Sequence, residues 1–306
     1  MGTKKFSCNF ARELVLVVCE TTNKNNIHHS WVGNARTIPP QDGVFHKINM
    51  IELNNIYHGD CLELMVDIPD CSIDAIICDL PYETTPCKWD KMIPLDKLWA
   101  HYKRIIKPTG AIVLFCQQPF TNKLMSSNIE MWKYNWIWMK DNGTNFLNSH
   151  HQPIKITEDI AVFGFASTSP SSSDHMTYNP QMSINAGKAY KTRQGNRTTT
   201  SVISSLKGTD VYSESNGDRY PTNIIYFKRD ISGIHPTAKP VDLLRYLVLT
   251  YTNEGDTVLD NCMGVGATIL ACIREKRNYI GMEINDKFFN EAKKRINLEL
   301  RQPKLF

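Results

Sequence analysis

The chain has 306 residues, is 42% hydrophobic and 22% charged, and carries a formal net charge of +4. That balance is ordinary for a globular protein and argues against a membrane-spanning one, since no apolar run approaches the roughly 18 residues needed to cross a bilayer. The nine cysteines are scattered singly with no C-x-x-C pair, which points to a reduced, cytoplasmic protein with no structural metal. The mild positive charge permits a nucleic-acid partner without demanding one.

Residues 1–49 have no sustained hydrophobic period. The stretch "CETTNKNNIHHSWVGNARTIPPQDG" is rich in turn formers and reads as a weakly ordered extension. The segment "ELVLVVC" is too short, with an acid in front of it, to be a signal peptide. At Met50 a βα pattern begins. "NNIYHGD" reads as a strand ending at Asp60, and "CLELMVDIP" as a helix. "IDAIICD" is a strand, "IPLDKLWAHYKRIIK" a helix, and "GAIVLFC", "WIWMK" and "EDIAVFGF" are further strands. Apolar runs alternating with amphipathic helices predict an α/β fold with a doubly wound, mostly parallel sheet covered on both faces.

Over residues 164–219 the pattern dissolves into Ser, Thr, Asn, Lys and Arg. It returns at "YPTNIIYF" and continues through "KPVDLLRYLVLTYT" (helix), "DTVLD" (strand), "ATILACIREK" (helix), "NYIGMEI" (strand) and "DKFFNEAKKRINLEL" (helix). Ile269, Leu270 and Ile273 are predicted to share the buried face of their helix. The chain thus divides into an extension (1–49), a first half-domain (50–163), a polar insertion (164–219) and a second half of the same domain (220–306).

Two places carry chemistry. The buried strand 73–79 ends in Asp79, followed by Leu80, Pro81 and Tyr82. Proline ends the strand, but structure alone does not ask for an acid and an aromatic ring at one point. The second place is "DNCMGVGAT", a strand ending at Asp260, a turn holding Gly264 and Gly266, and a helix start. Glu283 closes the next strand. Small residues admit a ligand to the backbone, helix N–H groups are available there, and an acid after the next strand suits ribose hydroxyls. Ile269 occupies the third glycine position of G-x-G-x-x-G, which disfavours a pyrophosphate and hence NAD. Upstream, "IHPTAKPVDLL" holds Thr237 and Lys239 between two prolines, a pattern that by itself reads as a helix entry.

Together these segments resemble the amino-type DNA methyltransferases that use S-adenosylmethionine, in the permuted order that puts D-P-P-Y before the glycine turn, as in phage-type adenine-N6 enzymes. "DLPY" (79–82), "HPTAKP" (235–240) and "DNCMGVGAT" (260–268) are similar to that family's elements. The resemblance implies a catalytic turn of Asp79, Leu80, Pro81 and Tyr82. Asp79 and the Leu80 carbonyl would hold the target amine, and Tyr82 would stack on the extruded base. It implies cofactor contacts from Asp60, His235, Thr237, Lys239, Asp260, Met263, Gly264, Gly266, Thr268 and Glu283, with Met263 filling the space of the family's phenylalanine. Thr157 stands where many relatives carry histidine.

Double-stranded DNA is the implied partner, with the insertion as target-recognition region and Lys188, Lys191, Arg193 and Arg197 as phosphate contacts. Lys207, Tyr178 and Tyr190 lie among them. Trp136 and Trp138 share one side of a strand, which favours the core over a lip of the base pocket. Cytosine N4 as the target, and a non-catalytic DNA-binding module, stay open as alternatives.

Overall fold

The structure, a computed structural model, describes residues 51–82, 91–194, 211–230 and 238–302. The readings for residues 1–49, His235, Thr237, Arg197 and Lys207 lie outside these residues.

In chain order the elements are β1 (Asn55–His58), α1 (Cys61–Leu64), β2 (Ile73–Asp79), α2 (Leu95–Ile105), β3 (Ile106–Cys116), α3 (Phe120–Ser127), β4 (Trp132–Thr144), β5 (Lys155–Phe163), β6 (Tyr190–Gln194), β7 (Val211–Ser215), β8 (Ile224–Tyr226), α4 (Val241–Tyr251), β9 (Thr257–Asp260), α5 (Ala267–Arg274), β10 (Asn278–Glu283) and α6 (Asp286–Arg301). Eight strands form one sheet in the order β1-β10-β9-β2-β3-β5-β4-β8, and β6 pairs with β7 separately.

Strand periodicity builds two cores. In β2 and β3, Ala75, Ile77, Ala111, Val113 and Phe115 point to the face covered by α4 and α5. Ile76, Cys78, Ile112, Leu114 and Cys116 point to the face covered by α2 and α3. Strands buried on both faces have no polar side to present, which is why their sequences read as continuous apolar runs. Helix α2 turns Leu98, Trp99, Tyr102 and Ile105 inward. Helix α5 is buried from Ala267 to Ile273 because it packs between α4 and α6, so its apolar residues surround it where a single face was predicted.

Strands β9 and β2 are neighbours, with Ala75 opposite Val258 and Ile76 opposite Leu259. From that seam the chain winds outward in opposite directions, through α5 to β10 and through α2 to β3. This is the switch point of a doubly wound sheet, and Asp260 and Asp79 end the two strands that flank it.

Three features differ from the sequence reading. Strand β5 is antiparallel to both β3 and β4, because the short connection 145–154 cannot return β5 parallel to β4. Helix α2 ends at Ile105, and Lys107 belongs to β3 and bonds Asp74 at 2.7 Å. Helix α3 was not predicted. Its eight residues "FTNKLMSS" hold only a brief apolar pattern. Among the described residues no helix is long and apolar enough to cross a membrane.

The glycine turn between β9 and α5 depends on backbone freedom at Gly266, which has φ +78° and would bring a Cβ within 3.2 Å of the Ala292 Cβ. Gly266→Ala is expected to destabilise the fold by about 1–3 kcal/mol, measured by thermal or denaturant unfolding. Unchanged stability would contradict the left-handed turn.

Candidate active site

A cleft of about 800 Å³ opens over the carboxyl ends of β9 and β2 and is lined by both turns. On one side lies the glycine turn. Gly264 has φ +52° with open space where a side chain would stand. Its N–H donates to Glu283 Oε2 at 2.9 Å, and Asn285 N–H donates to Oε1 at 2.8 Å. Burial raises the Glu283 carboxyl, and these N–H donors oppose the rise.

Asp260 is buried. Desolvation pushes its carboxyl up to about 7, against hydrogen bonds from Thr268 and the Cys262 N–H. Asp60 lines the cleft and also caps α1, taking the Leu62 N–H at 2.8 Å. Met263 is buried and lines the cleft. Its sulfur lies only 2.5 Å from where a Cβ on Gly281 would be, so it packs down onto β10 as well as toward the cleft.

On the other side, Asp79, Leu80, Pro81 and Tyr82 all line the cleft. Leu80 sends its side chain into the core beside α2, which leaves backbone as its polar contribution. The carboxylate of Asp79 is already in use. The Tyr82 hydroxyl donates to Oδ1, and the Lys239 ammonium to Oδ2 at 2.6 Å. The Tyr82 ring stacks on Phe120 with centroids 5.1 Å apart.

Lys239, which the resemblance lists among the cofactor contacts, lines the same cleft. It bridges Asp79 and Glu158, reaching Glu158 Oε1 at 2.9 Å. The other Glu158 oxygen takes Lys140 at 2.7 Å. Asp79, Lys239, Glu158 and Lys140 form a line of alternating charge in which the Lys239 and Glu158 side chains are 9% and 7% exposed. The three on strands project from the face that α4 covers, as strand parity dictates: Asp79 two past Ile77, Glu158 two before Ile160, and Lys140 two past Trp138, while Lys239 reaches them from the entry to α4.

Removing one partner from such a buried pair costs about 3–5 kcal/mol, because the other charge is left uncompensated. The arrangement separates the two acids. Burial raises Asp79, with Lys239 opposing it and Glu158 adding to the rise. Burial also works against the Glu158 carboxylate, but Lys239 and Lys140 outweigh it and hold that carboxyl below the usual range. Glu158 holds its charge, and Asp79 is the more readily protonated of the two.

Glu158 and Phe120 were missed in the sequence. A signal for Glu158 existed, because it shares parity with Ile160 and Val162 in "EDIAVF" and so had to point inward. Thr157 faces solvent. Trp136 and Trp138 are buried, and Trp138 also lines the cleft beneath Lys140. In the insertion, Lys188 is exposed. Lys191 forms an exposed cross-strand pair with Glu214 at 2.7 Å, and Arg193 lies in β6 opposite Tyr212.

A family model for N6/N4 enzymes, described as "DNA methylase", matches residues 73–294. The Type II methyltransferase M.HinfI of Haemophilus influenzae is 26% identical over 298 residues, covering 83% of this chain and 74% of that protein. The Type II methyltransferase M2.MboI of Moraxella bovis is 26% identical over 263 residues, covering 79% and 86%. Among solved structures, the M1.HpyAVI–SAM complex superposes with a TM-score of 0.51 at 24% identity, over 78% of this chain and 98% of that one. The cytosine-N4-specific PvuII DNA methyltransferase superposes with a TM-score of 0.55 at 13% identity, over 84% and 89%. These likenesses show a shared Rossmann-like fold.

The buried Asp260 makes stability pH-dependent. Its folded pKa of about 7 lies above the ordinary aspartate value of 3.8, so the folded state holds an extra proton between those values and loses stability as pH rises through that window. Asp260→Asn is expected to melt higher than the parent at pH 8, with the gain vanishing toward pH 4. A gain independent of pH would contradict this assignment.

Proposed function

The chain belongs to the DNA methylase family of N6 and N4 enzymes, and on that premise we propose that it is a site-specific DNA methyltransferase. It moves a methyl group from S-adenosylmethionine to the N6 amine of adenine in duplex DNA. The observation that carries this reading is the placement of the Asp79 turn and the glycine turn on adjacent strands, opening into one cleft. The permuted, phage-type order of the two turns is part of the reading, as is the division into halves 50–163 and 220–306 with a target-recognition insertion at 164–219.

The cleft suits the cofactor. Gly264 leaves open space at the turn, and Glu283 and Asp60 supply acceptors for hydroxyl and amine groups. Asp260, Met263 and Thr268 line the floor, Gly266 permits the turn that holds them, and His235, Thr237 and Lys239 complete the set by resemblance. S-adenosylmethionine supplies a methyl group on a sulfonium, already electrophilic enough to need no metal.

The task of the protein is to make the nitrogen a nucleophile. An exocyclic amine has its lone pair delocalised into the base ring. Asp79 and the Leu80 carbonyl each accept one N–H and draw the nitrogen toward tetrahedral geometry. A carboxylate has about four lone-pair positions, so Asp79 can take the amine while still held by Lys239 and Tyr82. After transfer the nitrogen is cationic and acidic, and Asp79, raised by burial, is placed to receive its proton.

Pro81 stiffens the turn, and Tyr82 backed by Phe120 gives the base an aromatic wall worth roughly 1–3 kcal/mol. Lys188, Lys191, Arg193 and Arg197 contact phosphates. The Lys191–Glu214 pair is exposed and therefore weak, and a phosphate can displace it.

Adenine is favoured over cytosine because aspartate opens the turn, where many cytosine-N4 enzymes carry serine. The test is to incubate the protein with methyl-labelled S-adenosylmethionine and duplex DNA, then digest to nucleosides. N6-methyl-2′-deoxyadenosine is expected. N4-methylcytosine would shift the target to cytosine, and cofactor binding without any transfer would make the chain a non-catalytic DNA-binding module. Asp79→Ala is expected to lower kcat by about 100-fold or more while calorimetry finds cofactor affinity unchanged. Undiminished turnover would overturn the role of Asp79.

A further inference from the structure

The connection between β4 and β5 bears on how the target base leaves the duplex. Strand β4 is antiparallel to β5, which is antiparallel to β3. The carboxyl end of β4 therefore lies on the same sheet edge as Asp79. Lys140 and Thr144, in its last turns, line the cleft. Immediately beyond, a 3-10 turn at Phe146–Asn148 leaves Phe146 74% and Leu147 93% exposed, with Ile154 and Ile156 at 44% and 45% behind them.

The turn is rigid. Asn145 adopts the left-handed conformation at φ 71°, and its side-chain oxygen accepts from Asn148 Nδ2 at 2.7 Å. Backbone bonds from Ser149 to Phe146 and from His151 and Gln152 to Asn148 close successive turns at 2.9–3.0 Å. An apolar pair held this far into water by an ordered scaffold is costly unless it meets a partner.

The place of the tip indicates which partner. The turn follows directly on Thr144, which lines the cleft, and the nearest ions are paired among themselves, Asp141 with Arg229 and Glu158 with Lys140 and Lys239. Lys155, exposed at the start of β5, adds one positive charge. An apolar tip at the mouth of the cleft that is to take the target base complements the faces of stacked bases, and Lys155 can meet a phosphate beside it.

We propose that Phe146 and Leu147 form a wedge that enters the DNA stack beside the target nucleotide and occupies the space left when that nucleotide turns into the cleft. This rests on the methyltransferase reading. Unstacking a base costs a few kcal/mol, and an inserted apolar side chain offsets part of that cost by covering the exposed neighbouring bases.

The test is the double variant Phe146→Ala/Leu147→Ala in the full chain. The recognised sequence is first read from the modified bases in DNA of cells expressing the parent. Duplexes then carry either 2-aminopurine at the target position or a mismatched target base. The variant is expected to reduce the parent's 2-aminopurine fluorescence rise and to lower kcat/KM on matched duplex by about tenfold or more. Mismatched duplex, whose target is already loosened, should restore kcat/KM to within about threefold of the parent. Cofactor affinity and melting temperature should not change. Parent-like base extrusion and turnover on matched duplex would overturn the wedge. So would an equal loss on matched and mismatched duplexes accompanied by a change from dimer to monomer in sedimentation, which would mark the tip as a self-association surface. A parent protein that methylates no DNA would overturn the functional reading and the wedge with it. An active parent whose activity on matched duplex the variant equals would overturn the wedge alone.

Discussion

The site depends on one buried ammonium. Lys239 sits between Asp79 and Glu158, at 2.6 and 2.9 Å, where neither acid could stay charged beside the other without it. Burial by itself disfavours that ammonium, yet the two carboxylates outweigh desolvation and keep it protonated. Lys140 completes the balance from the far side of Glu158. Two negative and two positive charges in a row let a polar site exist against a largely apolar sheet face.

That row also links parts of the chain that are distant in sequence. Asp79 ends β2, Lys140 lies on β4, Glu158 on β5, and Lys239 precedes α4, whose buried side chains cover this face. Nearby, the seam between β9 and β2 brings the glycine turn to the same cleft. The sheet provides adjacency, and the ion pairs provide orientation. A methyl acceptor and a methyl donor need both, since positioning alone accounts for much of the rate gain available to an in-line transfer.

Much of this was legible in the sequence. Strands β2, β9 and β10 announce themselves as short apolar runs ending in acids, and α6 as a long amphipathic repeat. Asp79 was found because an acid, a proline and an aromatic ring meet at one strand end, and Gly264 and Glu283 because a glycine turn is followed by an acid closing the next strand. What stayed hidden is tertiary. The short 145–154 connection sets β5 antiparallel to β4, but nothing local says that β5 inserts between β3 and β4. The partners of Lys239 could not be read, since its neighbours lie about 80 and 160 residues away in sequence and its own segment looks like a helix entry. Glu158 was readable only by strand parity. The polar insertion appears structureless in composition, yet β6 and β7 pair within it and Asn179 binds the end of α4 through the Leu249 and Thr252 carbonyls.

The most direct measurement is the pH dependence of single-turnover methyl transfer in Lys239→Met and Glu158→Gln, in preparations that still melt cooperatively. Tyr82, Glu158 and Lys239 face Asp79, with Asp260 across the seam. Loss of Lys239 removes the cation that favours the Asp79 carboxylate, so the acidic limb of the profile should move to higher pH. Loss of the Glu158 charge removes a repulsion and leaves Lys239 to Asp79 alone, so the limb should move to lower pH. Opposite displacements are the expected result. An acidic limb that stays in place in both variants, with only the plateau falling, would show that Asp79 does not carry the reaction.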